Sequence, residues 1–138
     1  MKLKYLVLLF FVFPFVTSAE VQIPRTEEEA IIRFTISRAK ESNIDPKVTL
    51  AKLWCESRLD PKALNFNKNG TSDAGIAQLN DIHLPQIRQM NLSRFDPYDS
   101  INFMLYLIQT SKYDPYSASS KCWKDPKTMK HISSLIDS

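Results

Sequence analysis

The segment Glu56-Ser57-Arg58-Leu59-Asp60-Pro61-Lys62-Ala63-Leu64-Asn65-Phe66-Asn67-Lys68-Asn69-Gly70-Thr71-Ser72-Asp73-Ala74-Gly75-Ile76-Ala77-Gln78-Leu79-Asn80 decides how this chain reads. It contains both glycines of a 138-residue sequence, Gly70 and Gly75. A tight turn or a close backbone approach is therefore expected here, because glycine alone adopts such conformations without steric cost. Asn69-Gly70 is a strong hairpin signal, and Gly75 to Leu79 reads as a short strand.

Helical patterns flank this segment on both sides. Upstream, Asp45-Pro46 supplies an N-cap and a first-turn proline, and Val48, Ala51, Leu53 and Trp54 form an apolar stripe leading to Cys55 and Glu56. Glu56 is thus placed near a helix C-terminus. Before that helix, Thr26-Glu27-Glu28-Glu29 is a capping-box pattern, and Ala30, Ile31, Phe34 and Ala39 recur at near-helical spacing up to Asn43. Downstream, Leu84 to Met90 reads as a short helix. Asp96-Pro97 opens a longer one through Ile101, Met104, Leu105 and Ile108, apolar nearly all round and so expected to be buried. Ser117 to Trp123 reads as one further helical turn, and the polar tail from Lys124 offers little to pack. The fold class expected is mainly α (α+β), with a small β-hairpin beside the end of a helix.

At the amino terminus, Lys2 and Lys4 precede an apolar run from Tyr5 to Val16 and the small residues Thr17-Ser18-Ala19. This is the pattern of a secretory signal peptide over residues 1–19, cleaved after Ala19. The run falls short of the roughly 20 residues that span a bilayer. The expected product, residues 20–138, is one domain, secreted or periplasmic, monomeric and without a stable membrane anchor. The whole chain has 18 Lys and Arg against 15 Asp and Glu. Without Lys2 and Lys4 the balance is 16 to 15, and the basic residues are scattered, which removes the electrostatic basis for nucleic-acid binding. Cys55 and Cys122 are the only cysteines. In an exported protein an even pair points to a disulfide, whose long loop is worth about 4 kcal/mol in the chain-entropy model. Neither Cys-x-x-Cys spacing nor a histidine close to either cysteine suggests a metal site, and no metal or organic cofactor is expected.

Cleavage of a glycosidic bond needs a carboxyl group that still holds its proton near neutral pH, with charge on the sugar stabilised from the other side. Glu56 suits the first role. Apolar Trp54, Cys55 and Leu59 surround it in sequence, and it sits at the negative end of a helix dipole; both favour the protonated form. Arg58 would oppose this if its guanidinium folded back. Asp73 follows seventeen residues later, where a hairpin folding over the helix end brings a second carboxylate to the same cleft. Read alone, Glu56 is an ordinary helix-end residue and Asp73 an ordinary turn residue.

The stretch from Glu56 to Asn80 resembles the active-site segment shared by c-type lysozymes and SLT-like lytic transglycosylases. Both carry a Glu-Ser pair and a later Gly-x-x-Gln element, here Glu56-Ser57 and Gly75-Ile76-Ala77-Gln78. Asn65, Asn67, Gly70, Asp73 and Asn80 extend the likeness without a gap. The resemblance implies a lysozyme-like fold and a muramidase acting on peptidoglycan glycan strands, at the β-1,4 bond between N-acetylmuramic acid and N-acetylglucosamine. It implies Glu56 as general acid/base and Asp73 as nucleophile or electrostatic stabiliser. It further implies that Ser57, Asn67, Gln78 and Asn80 orient the second carboxylate and bind sugar hydroxyls. The chain departs from both families. It lacks the transglycosylase Ala-Tyr-Asn-Ala-Gly element, having Tyr113 and Tyr116 in the comparable region, so no tyrosine is assigned to the site. It also lacks the several disulfides of vertebrate lysozymes. A Cys55–Cys122 bridge would hold Trp123 near Glu56, where it could stack on a sugar face. Attack by water would make the enzyme a hydrolase; attack by the muramic acid's own hydroxyl would yield an anhydro sugar. Asp73 tilts the balance slightly toward hydrolysis. A glycan-binding module or inhibitor without catalysis is the alternative from a different class, and a small structural or adhesion protein a more distant one.

Overall fold

The computed structural model describes residues 26–137; the leader expected over residues 1–19 and its cleavage after Ala19 lie outside the described residues. Three of the main helices begin in the same way. In α2 (Pro46–Ser57), α4 (Pro97–Thr110) and α6 (Pro126–Ile136) an aspartate in extended conformation accepts hydrogen bonds from two backbone N–H groups, and proline follows at the first helical position. The aspartate satisfies donors the helix cannot, while the proline loses nothing at a position whose N–H has no helical partner. The first helix, α1 (Glu27–Glu41), uses Thr26 instead, whose side chain accepts from the Glu29 N–H.

The core lies among these helices. In α4 the residues Ile101, Phe103, Met104 and Leu105 are fully or almost fully buried, as are Leu50, Ala51 and Leu53 of α2 and Ile31 of α1. α1 and α6 both pack on α2, and α1 also meets α4. The expectation of a buried central helix at Asp96-Pro97 holds. The carboxy-terminal tail corrects the sequence reading: residues from Lys124 do pack, through α6, whose Ile132 is fully buried. His131 packs against Trp54 of α2, the ring centroids 4.2 Å apart and the planes tilted by 51°.

Between α2 and the short α3 (Leu84–Gln89) the chain forms three strands, β1 (Leu64–Phe66), β2 (Ser72–Ala74) and β3 (Leu79–Asn80), antiparallel in the order β1-β2-β3. The hairpin falls around Asn69-Gly70 as expected. The strand expected over Gly75 to Leu79 does not form: Gly75 to Gln78 are a turn, and pairing resumes only at Leu79. Gly75 explains the break. Its φ is +78°, and a Cβ there would lie 1.7 Å from the carbonyl oxygen of Arg94. The glycine is present because another backbone passes over it. Gly70, at φ +84°, has open space where a Cβ would be, so only its conformation calls for glycine.

Register sets up the site. Asn65 faces Asp73 and Asp73 faces Asn80 across the sheet. Side chains alternate along a strand, so Asn65, Asn67, Asp73 and Asn80 share one face. The described residues form a mainly helical α+β fold of the lysozyme-like kind. None of their helices is long and apolar enough to cross a membrane.

Candidate active site

Glu56 occupies the last turn of α2, immediately after Cys55, whose sulfur is bonded to Cys122 across a sequence separation of 67 residues, with Cα atoms 6.0 Å apart. The bridge fastens the end of α2 to α5 (Ser120–Trp123) and so brings the segment Tyr116–Ser119 against Glu56. After Ser57 the backbone enters the left-handed region at Arg58 (φ 59°) and Leu59 (φ 65°), which ends the helix sharply. Arg58 does fold back, but onto Trp54, its guanidinium 5.0 Å from the ring centroid. Ser57 ties the helix end to the glycine turn, its hydroxyl donating to the Ile76 carbonyl at 2.7 Å.

A cleft of about 380 Å³ opens between the helix end and the sheet, lined by Glu56, Asp73, Gln78, Asn80, His83 and Tyr116 among others. Both carboxylates reach it. Burial raises the Glu56 pKa above the ordinary glutamate value; a hydrogen bond from the Ser119 hydroxyl opposes this, and the Asp73 charge adds to it. Asp73 is held differently. Asn80 Nδ2 donates to one of its oxygens at 2.7 Å and Asn67 Nδ2 to the other at 2.9 Å, and both amides also bond the Thr71 hydroxyl at 3.1 Å. An amide NH₂ can only donate, so both Asp73 oxygens are engaged as acceptors.

Gln78 stands at a positive φ of 48°, unusual for a residue with a Cβ. Its side chain secures that conformation: Nε2 donates to the carbonyls of Gly75 at 2.9 Å and Ala63 at 3.2 Å, and Oε1 accepts from Asn65 at 2.8 Å. Of the residues singled out in the sequence, Glu56, Asp73, Gln78 and Asn80 therefore meet at the cleft. Asn67 stands one step behind it, orienting Asp73, and Ser57 is a structural tie. Trp123 departs from expectation. It is only 9% exposed, its indole N–H donates to the Tyr116 carbonyl at 2.9 Å, and it does not line the cleft. The Trp123 indole faces inward, and the Lys52 ammonium lies 4.8 Å from its ring centroid.

Among residues not selected from sequence, Tyr116 lines the cleft and Ser119, outside the lining, donates to Glu56 at 2.7 Å. Tyr116 is buried, and its hydroxyl donates to the Ala77 carbonyl at 3.1 Å. Burial above all, with the charges of Glu56 and Asp114, drives its pKa far above the ordinary tyrosine value, so it remains a neutral donor. Lys52, itself buried, bonds Asp114 at 2.8 Å and so anchors the loop that delivers Tyr116. The signal was the cluster Tyr113-Asp114-Pro115-Tyr116 six residues before Cys122, but which tyrosine turns inward depends on the Lys52 contact.

The transglycosylase SLT domain model matches residues 33–120, well over half of the chain, and the match takes in Glu56, Asp73, Tyr116 and Ser119. The chain belongs to this family. It is also similar to invasion protein IagB of Salmonella typhimurium, 32% identical over 54 residues that make up 39% of this chain and 34% of that protein. Protein IpgF of Shigella flexneri is 39% identical over 51 residues, 37% of this chain and 34% of that protein. The chain thus spans about a third of the length of the curated relatives it matches. Membership of the SLT family makes residues 33–120 a transglycosylase SLT domain. It accounts for the Glu-Ser and Gly-x-x-Gln elements, and it leaves Cys122, Trp123 and α6 outside the matched stretch.

Proposed function

We propose that this protein is an exported peptidoglycan lytic transglycosylase that cuts the β-1,4 bond between N-acetylmuramic acid and N-acetylglucosamine. The observation that carries the reading is Glu56: a carboxyl group at a cleft wall, held protonated above the usual range by burial, within the field of a second carboxylate. In the first step Glu56 gives its proton to the bridging oxygen as the bond to the sugar C1 breaks. Glu56, now ionised, then takes the proton of the muramic acid C6 hydroxyl as that oxygen attacks C1, and the anhydro product leaves with the enzyme restored. Asp73, oriented by Asn67 and Asn80, lies where it can stabilise positive charge on the sugar. Gln78 and Asn80 on the same wall supply polar atoms for sugar hydroxyls, and the Tyr116 ring supplies part of the cleft floor.

A second reading, hydrolysis by a lysozyme mechanism, draws on one observation: an aspartate with both oxygens fixed by amide donors is better organised than charge stabilisation alone requires. Mass spectrometry of sugars released from purified peptidoglycan, with Glu56→Gln as control, separates the two. Anhydromuramic ends that vanish in the variant are the expected result. Reducing ends would make the enzyme a hydrolase with Asp73 in a direct role. Release unchanged by Glu56→Gln would end the reading of Glu56 as the acid, and no release from either protein would leave a glycan-binding module.

A further inference from the structure

Ser119 precedes α5 at the position where a serine ordinarily caps a helix, accepting from a backbone N–H of the first turn. Here it does not. Its backbone is at φ −90° and ψ 10°, away from the extended geometry of a cap, and its side chain makes no capping bond. The hydroxyl points instead at two oxygens, Glu56 Oε1 at 2.7 Å and the Tyr116 carbonyl at 3.1 Å. A serine carries one hydroxyl proton, so these two acceptors compete for it. The carbonyl does not depend on Ser119, because the Trp123 indole already donates to it at 2.9 Å. The competition is settled by the charge of Glu56. A neutral carboxyl and a peptide carbonyl are comparable acceptors, whereas a carboxylate draws a stronger, charge-assisted bond.

We propose that Ser119 is a positioning residue for the acid: its hydroxyl fixes Glu56 Oε1, leaves Oε2 to give up the proton, and commits its single hydrogen bond to Oε1 as Glu56 becomes a carboxylate. The inference rests on the reading of Glu56 as the acid. In the transfer the Oε2 proton passes to the bridging oxygen, the C–O bond breaks with its electron pair going to that oxygen, and Ser119 keeps its own proton throughout. A donor already in place where negative charge develops needs no reorganisation during the reaction. The same bond explains why burial and Ser119 act on Glu56 in opposite directions: one keeps the acid loaded, the other makes unloading feasible. The position is rigid, because Cys122 three residues on is bonded to Cys55, the neighbour of Glu56.

The test compares the protein with Ser119→Ala, Ser119→Thr and Glu56→Gln by two readouts. One is the pH profile of sugar release from purified peptidoglycan; the other is the titration of the Glu56 carboxyl carbon by NMR in glutamate-labelled protein, its signal assigned by its loss in Glu56→Gln. Ser119→Ala is expected to slow release about tenfold or more, the scale of a hydrogen bond to a charged group. It should move both the Glu56 titration and the high-pH limb of activity to higher pH, and Ser119→Thr should restore both. Slower release with an unmoved titration and an unmoved limb would overturn the proposal and leave Ser119 a packing residue. Should Ser119→Ala fail to fold, Ser119→Gly carries the same comparison. The acid reading fails separately: it falls if Glu56→Gln keeps its activity, while the NMR titration still reports whether Ser119 acts on Glu56.

Discussion

The two walls of the cleft are built by different physics. The helical wall carries Glu56 on the end of α2, backed by a packed core, a disulfide and the buried Tyr116, and its carboxyl meets a single hydroxyl. The sheet wall carries Asp73 on a three-residue strand, and there polar side chains do the holding: Asn67, Asn80 and Thr71 form one network around Asp73, and Asn65 pairs with Gln78 beside it. Its outer side is bare, with Phe66 80% exposed and Leu64 exposed beside it. Apolar burial on one wall raises the affinity of a carboxyl for its proton. Amide donors on the other fix a carboxylate in place. One carboxyl group is governed by burial and the other by amide donors, the kind of difference that suits two acidic side chains to different roles.

The sharpest way to break this comparison is to neutralise each carboxylate in turn. Glu56→Gln is expected to lower peptidoglycan cleavage about a thousandfold, within the range for loss of a general acid. Asp73→Asn should cost markedly less, about ten- to a hundredfold, as a lost electrostatic contribution. Turbidity clearance of purified cell walls measures both, and equal losses would erase the proposed division of labour.

Stability should divide along the same line. Replacing Cys55 and Cys122 together by serine is expected to lower the unfolding free energy by about 4 kcal/mol in urea denaturation, the value for a loop of this length. The loosened helical wall should also lose cleavage activity. On the sheet wall, Gly75→Ala must push the Arg94 backbone aside and is expected to cost about 3 kcal/mol or more. Gly70→Ala, with free space around the same turn of backbone, should cost only the left-handed strain, about 1 kcal/mol. A similar cost at the two glycines would mean that the contact with Arg94 is easily relieved.

The smallest effect concerns protonation of Glu56 itself. A glutamate whose pKa is raised by folding binds its proton more tightly in the native than in the unfolded state. Native stability contributed by that proton is present at low pH and declines as pH climbs from the ordinary glutamate value through the raised one. Glu56→Gln lacks this decline, so its melting temperature should exceed that of the parent protein at neutral pH, and the gain should vanish in acid. A gain that persisted unchanged to low pH would assign the effect to packing.

What was legible in the sequence is what short-range chemistry writes there. Asp45-Pro46 and Asp96-Pro97 announce helix starts because the cap and the proline act within one turn, and Asn69-Gly70 announces the hairpin because a turn-forming asparagine precedes a glycine free to take the positive φ of 84° found there. Asp125-Pro126 carries the same signal as the other two, and α6 could have been read from it; the polar composition of the tail masked a helix that buries one isoleucine. Gly75 misled in the opposite direction, since glycine in a strand-like run marked a backbone crossing that lies nineteen residues away in sequence, at Arg94. In the site, Glu56, Asp73, Gln78 and Asn80 are close in sequence and their clustering followed from a hairpin. Tyr116 and Ser119 reach Glu56 through contacts spanning about sixty residues, namely Lys52–Asp114, Cys55–Cys122 and Ser119–Glu56. No local pattern encodes those. Trp123 followed from the right bridge with the wrong outcome, because the bridge sets distance and not which way an indole faces.

The bridge between Cys55 and Cys122 has a topological consequence. It closes the chain into a covalent ring, and Glu56, Asp73, Gln78, Tyr116 and Ser119 all lie on that ring. A single cut anywhere within it, for instance by a protease at the exposed Asn69-Gly70 tip, would turn the ring into two strands of chain still fastened beside Glu56. Severing the backbone once would leave every part of the cleft attached to every other.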